Sequence, residues 1–228
     1  MRKWQCLMLA LALGLGLAGC QKQEAAAGPP GALPTGFSDE VLALLPEDWQ
    51  WLPDWQQAED LPRLLLLYDG ACVEPLLCNH SWAQRLNDDE MRQYVACGAS
   101  PLELQAEMPH LAHPQTEEAG RVQLIWQAQP TSFRAVAYDY TWWEKRQGLD
   151  LGFTLEDMPK SQMSPPDNTL TLFLDRGSTA YIMDMERGCY AEEIPPGSYL
   201  YVVWAEWQTE AEAEPGPGGY AEWTFFVE

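Results

Sequence analysis

The most suggestive local chemistry lies in Tyr138-Asp139-Tyr140-Thr141-Trp142-Trp143-Glu144, where aromatic rings stand beside acids. A flat ring stacks on a sugar or an apolar side chain, while a carboxylate accepts the protons of nearby hydroxyls or amides. Read as a strand, adjacent Trp142 and Trp143 point to opposite faces, so one indole is expected outside. Tyr138, Tyr140, Trp142 and Trp143 are therefore the candidate ligand-binding residues. The competing reading is that the stretch from Thr141 to Asp167 folds over the sheet and buries both indoles, because natural surfaces seldom leave large apolar patches uncovered.

Other reactive residue types carry less. The histidines are His80, His110 and His113. Pro109 and Pro114 oppose the helix on which His110 and His113 would share an ion, so loop histidines are expected. No HExxH, GxSxG, SxxK, phosphate-binding loop or dinucleotide glycine fingerprint occurs in the chain. Asp175, Asp184, Glu186, Glu192 and Glu193 offer oxygen ligands for Ca2+ without the spacing of a known loop, and read better as a solvated acidic face. Glu206, Glu210, Glu212 and Glu214 read as a charged hairpin tip that discourages edge-to-edge pairing. No catalytic residue, metal or cofactor is expected.

Charge excludes one class of partner. The chain carries 34 acidic against 13 basic side chains, a formal net charge of −21. Such a surface repels a polyanion, so no nucleic-acid partner is expected. The composition is 46% hydrophobic with 11 Trp, which is ample for a buried core and unlike an acidic disordered chain.

The first residues suggest an address. Arg2 and Lys3 precede an apolar run from Leu7 to Leu17, the length of a signal-peptide core and short for a membrane-spanning helix. Leu17-Ala18-Gly19-Cys20 resembles the lipobox of bacterial lipoproteins. The resemblance implies removal of residues 1–19 as a signal peptide, lipidation of Cys20, and attachment to the cell membrane on its extracytoplasmic side. Residues 20–36 are small and rich in Pro and Gly, as in a flexible tether. With Cys6 in the signal and Cys20 carrying lipid, Cys72, Cys78, Cys97 and Cys189 remain. An even set outside the cytoplasm predicts two disulfides, for which three connectivities are open. If residues 80–96 form a hairpin symmetric about Asp88, Cys78 falls across from Cys97 and leaves Cys72 for Cys189. The spacings do not suit a metal site.

The elements that must position these residues read as strands. Ser38 caps a short helix with Asp39 and Glu40 in its first turn and Val41, Leu42 and Leu45 on its apolar side, stopped by Pro46. Trp49, Trp51 and Trp55 are expected to pack irregular chain onto the body. Leu64 to Tyr68, the Asp69-Gly70 turn and Ala71 to Leu77 read as a hairpin. Val122, Leu124 and Trp126, then Phe133, Ala135 and Ala137, alternate as half-buried strands. Thr169 to Leu174, Ala180 to Met185, Ser198 to Trp207 and Tyr220 to Val227 follow, separated by turn residues. Strands without intervening helices predict an all-β, antiparallel, immunoglobulin-like sandwich over residues 121–228. Residues 37–120 are expected to add a short helix and a β-hairpin extension. Tyr199, after Pro195-Pro196-Gly197-Ser198, sits where such sandwiches place a corner tyrosine.

Leu77-Cys78-Asn79-His80-Ser81-Trp82, Ser100-Pro101-Leu102, the run from Pro196 to Trp207 and the closing Gly219-Tyr220-Ala221-Glu222-Trp223-Thr224-Phe225-Phe226-Val227 together resemble uncharacterised lipoproteins of Gram-positive bacteria. The resemblance spans roughly residues 62–228, departs at the extra cysteines and at the stretch from Thr141 to Asp167, and brings no catalytic residue. It implies a membrane-anchored binding or interaction module for a protein or glycan ligand. The alternative is a carboxylate-dependent hydrolase of cell-wall or carbohydrate substrates, which requires two acids in one cleft.

Overall fold

The computed structural model describes residues 37–87, 90–113, 120–146, 154–163, 168–171, 179–184, 188–193, 198–208 and 218–228. The expected signal peptide and tether with Cys20 lie outside them, as do Asp175, Glu186, residues 194–197 before Tyr199, and Glu210, Glu212 and Glu214 of the expected hairpin tip.

The chain is an all-β sandwich. One sheet has the order β2-β1-β6-β9, with β1 Leu64–Tyr68, β2 Ala71–Val73, β6 Arg121–Trp126 and β9 Thr169–Thr171. The larger sheet runs β11-β10-β8-β7-β12-β13-β3-β4. Its members are β3 Leu76–Asn87, β4 Glu90–Ala96, β7 Ser132–Asp139, β8 Lys160–Met163, β10 Thr179–Asp184, β11 Gly188–Glu193, β12 Tyr199–Trp207 and β13 Gly218–Val227. All these pairings are antiparallel. The short β5, His110–Leu111, adds a parallel pairing to the end of β13.

At its centre each sheet is covered on both faces, which explains why β1 and β12 read as nearly continuous apolar runs rather than alternating ones. Between the sheets lie Leu64, Leu66, Leu124 and Trp126 from one side and Tyr201, Val203, Trp207, Trp223 and Phe225 from the other. The indoles of Trp82, Trp126, Trp207 and Trp223 meet edge to face at 5.7–6.2 Å, the arrangement that ring quadrupoles favour. Outside the smaller sheet, Leu65 and Ile125 pack under Trp49, Trp51 and Phe37. The helix that begins this cover, α1 Asp39–Leu42, has Ser38 at its cap as its sequence requires. Outside the larger sheet, Leu200, Val202 and Phe226 pack under Met108, Tyr140 and Met158.

The expected division at residue 120 is corrected by the pairing. Strand β1 lies beside β6, and β3 and β5 lie beside β13. The stretch before residue 121 therefore supplies strands to both sheets and shares them with residues 121–228. The expected hairpin of β1 and β2 is present, with Asp69 and Gly70 at φ 49° and 72°.

Two adjacent glycines let β13 enter the sheet. A Cβ on Gly218 (φ 125°) would lie 2.1 Å from the Trp207 carbonyl oxygen, and one on Gly219 (φ 158°) 1.8 Å from that of Ser81. Only glycine admits so close a backbone approach.

Candidate functional site: a groove at the open end of the sandwich

A groove of about 630 Å3 is lined by Asp60 to Arg63 and Glu74-Pro75, which flank the β1–β2 hairpin, and by Leu77, His80, Trp82 and Tyr94 of β3 and β4. Glu107, Pro109 and Trp223 complete its wall.

A bulge in β3 aims two of these side chains into the sandwich. The β3–β13 register pairs Ala221 with His80 but Trp223 with Leu77, so residues 78 and 79 together oppose Glu222. Neither joins the groove: Cys78 is buried with its sulfur 3.4 Å from the Thr224 hydroxyl, and the Asn79 amide donates to Glu222 at 2.7 Å. Bulges re-aim side chains in this way. Past the bulge, alternation puts His80 and Trp82 on the inner face with Ala221, and the cross-strand partner of Trp82 is Tyr94 of β4.

Two ring nitrogens here have no hydrogen-bond partner among the described residues. They are Nδ1 of His80 and Nε1 of Trp82, both shielded from water. Trp82 is 1% exposed, and an indole N–H left unpaired at such depth costs about 1–3 kcal/mol. By contrast, the groove's guanidinium is fully engaged. Arg63 donates through Nε and Nη2 to the two oxygens of Glu74 at 3.0 and 3.1 Å, and through Nη1 to Asp48 at 3.0 Å. Glu74 holds that guanidinium even more firmly protonated than usual.

The sequence-predicted platform is not an exposed one. Tyr138 and Tyr140 are 6% and 4% exposed. Burial pushes the Tyr138 hydroxyl up to about 12, with Glu156 adding to it. Tyr140 donates to the Gln105 side chain and meets Phe226 edge-on at 4.7 Å. Trp142 and Trp143 are half-buried against the outer cluster of the larger sheet. The strand reading fails because Asp139 accepts from the Trp142 amide at 2.9 Å and starts a helix, α2 Tyr140–Glu144. On a helix, neighbouring indoles need not diverge by 180°. The Arg146 guanidinium then lies 4.0 Å from the centre of the Trp142 ring.

No disulfide joins the cysteines whose side chains are described, and the expected Cys72–Cys189 pair cannot be followed to Cys189. Cys72, Cys78 and Cys97 are free thiols, and the side chain of Cys189 lies outside the described residues. The β3–β4 register pairs His80 with Ala96, one residue away from the register that would face Cys78 with Cys97. Cys78 is buried and Cys97 exposed.

The remaining candidates do not converge. Asp184 pairs with Gly188 at one end of the β10–β11 ladder, whereas Glu192 and Glu193 pair with Ala180 and Thr179 at the other, about 14 Å along the strands. No group of three or more metal-ligating side chains occurs among the described residues. His110 lies 2.9 Å from the Glu228 carboxylate and fastens the end of β13. Burial raises the Asp139 carboxyl, but its oxygen is committed to the start of α2.

Sequence reasoning missed the groove. His80 and Trp82 do fall in the quoted stretch from Leu77 to Trp82, yet the bulge that aims them is made with a strand distant in sequence. Comparison of the chain with family models, with curated proteins and with solved structures gives no match in any of the three.

Proposed function

We propose that this chain is a lipid-anchored, extracytoplasmic, non-catalytic binding protein whose ligand site is the groove around His80, Trp82 and Tyr94. The observation that carries the reading is the pair of unpartnered ring nitrogens on residues that line an open groove of ligand-sized volume. A rigid, doubly covered sandwich is a suitable frame for such a site, since binding then costs little ordering. The address rests on the n-region, the apolar core and the Leu17-Ala18-Gly19-Cys20 box. For the hydrolase alternative, Glu74 is bound to Arg63 through both oxygens, which leaves Asp60 and Glu107 as the groove's acids; both are exposed, whereas a catalytic acid has its pKa raised by burial.

The address is tested by producing the full chain in a bacterial host with an alkyne-bearing fatty acid in the medium. The expected result is a labelled protein in the membrane fraction and a Cys20→Ala variant without label. An unlabelled wild type, or label retained in the variant, overturns the anchor. The site is tested by the indole N–H resonance of Trp82, assigned through Trp82→Phe, which is expected to move when a ligand enters.

A further inference from the structure

The groove runs into an open sheet edge. Strand β4 has β3 as its sole neighbour among the described residues, so one side of its backbone presents unpaired N–H and C=O groups. Natural edges are commonly blunted by lysine, proline or a bulge. The tip half of β4 carries Glu90 and Arg92, but the half nearest the groove reads Gln93-Tyr94-Val95-Ala96, without charge or proline. Val95 is 60% and Tyr94 42% exposed. Tyr94 belongs both to this edge and to the groove wall.

Resting on the binding-protein reading above, we infer that the β4 edge and the groove together receive an extended, cationic peptide segment of a partner protein, pairing along Gln93–Ala96 and laying one side chain over Tyr94 toward the groove. Three observations fix the occupant. The open edge offers main-chain pairing, the mode by which extended peptides join a sheet. Tyr94 belongs both to that edge and to the groove wall and is the cross-strand partner of Trp82, so an occupant of the edge is sensed at Trp82. The groove's acids Asp60, Glu74 and Glu107 face a single guanidinium, already bound by Glu74 and Asp48. That balance attracts Lys or Arg and repels an acidic segment, as does the chain's net charge of −21.

The test uses the full chain in detergent and three fluorescent nonapeptides with capped ends: alternating Lys and Val, alternating Glu and Val, and the Lys–Val peptide N-methylated at every second amide. The Lys–Val peptide is expected to bind and to move the Trp82 indole resonance. N-methylation on the edge-facing amides is expected to weaken binding at least tenfold, and the Asp60→Lys, Glu107→Lys double variant at least fivefold. Both substituted residues are exposed, so the fold is retained. Equal binding of the Glu–Val peptide, undiminished binding after N-methylation at both possible phases, or no binding of the Lys–Val peptide overturns the inference. A neutral cello- or chito-oligosaccharide is the fourth probe. If it moves the Trp82 resonance and the Lys–Val peptide does not, the peptide assignment fails while the groove stands. If none of the four moves it, the binding-site reading fails as well.

Discussion

Cys78 lies on β3 and Cys97 just past the end of the neighbouring β4, and their thiols meet different surroundings: Cys78 is buried beside Thr224, while Cys97 is exposed. Gly98, not Cys97, comes up against Cys78, since a Cβ at Gly98 would lie 2.8 Å from the Cys78 carbonyl oxygen. A one-residue change of register exchanges the faces of every side chain on a strand, so this offset separates the thiols completely.

The thiols should accordingly react in order of exposure. A charged maleimide is expected to modify Cys97 in the native protein and Cys78 only after unfolding. Burial pushes the Cys78 thiol up and so further lowers its thiolate fraction. Peptide mapping after timed labelling checks this; a Cys78–Cys97 disulfide in the unreduced native protein would contradict the register.

Trp207 is fully buried, touches the indoles of Trp82, Trp126 and Trp223, and donates through Nε1 to the Ala128 carbonyl at 3.2 Å. Trp207→Ala is expected to cost about 3–5 kcal/mol through cavity formation, read as a lowered midpoint in urea unfolding. A loss under 1 kcal/mol would mean the indole lattice is not the core.

Two glycines with positive φ should respond very differently. Gly70 has nothing within 4 Å of a would-be Cβ, so Gly70→Ala meets only backbone strain of about 1–2 kcal/mol. Gly219→Ala would drive a methyl group into the Ser81 carbonyl and break the β13–β3 ladder. It is expected to prevent folding at 37 °C, seen as loss of the soluble product, while Gly70→Ala survives with a lower Tm.

Asp139 makes stability depend on pH with a defined sign. Burial raises its folded pKa above that of the unfolded chain, so the native state holds its proton longer. Stability from this group therefore falls as pH rises from about 3.9, the unfolded value, through the raised folded value. Asn also caps helices and cannot ionise. The wild type is thus expected to lose stability relative to Asp139→Asn across that window, and a constant difference in urea unfolding from pH 3 to 7 would refute it.

The same sign applies to Tyr138 at alkaline pH. With its hydroxyl pushed up to about 12, stability should fall as pH rises from about 10, the unfolded value. Absorbance at 295 nm on a Tyr138→Phe difference titration is expected to show the ionisation near 12; a midpoint near 10 would place the ring in water.

Much of the secondary structure was legible because its signals are local. Asp69-Gly70 announces its turn, Ser38 its helix, and the alternation through Val122, Leu124 and Trp126 its strand. What misled was pairing. The 3.6-residue turn at Tyr140–Glu144 depends on one carboxylate, Asp139, that a strand reading treats as an ordinary polar position. The apolar residues of β1 and β12 reveal burial on both faces, but not which strand lies alongside. The groove was the least legible element, because it needs the β3–β13 bulge, the short β2 and the free edge of β4 at once.

Strand β13 lies inside the larger sheet, between β12 and β3, with β5 fastened to its end. During synthesis it is the last described strand to emerge, yet three earlier ones depend on it for their ladders. Such long-range closure is slow, and here it is also vectorially delayed: until about residue 227 has left the ribosome, β3 and β12 have no common partner. The larger sheet is thus closed by its last described strand, so its two halves are joined only when synthesis of the described residues is complete.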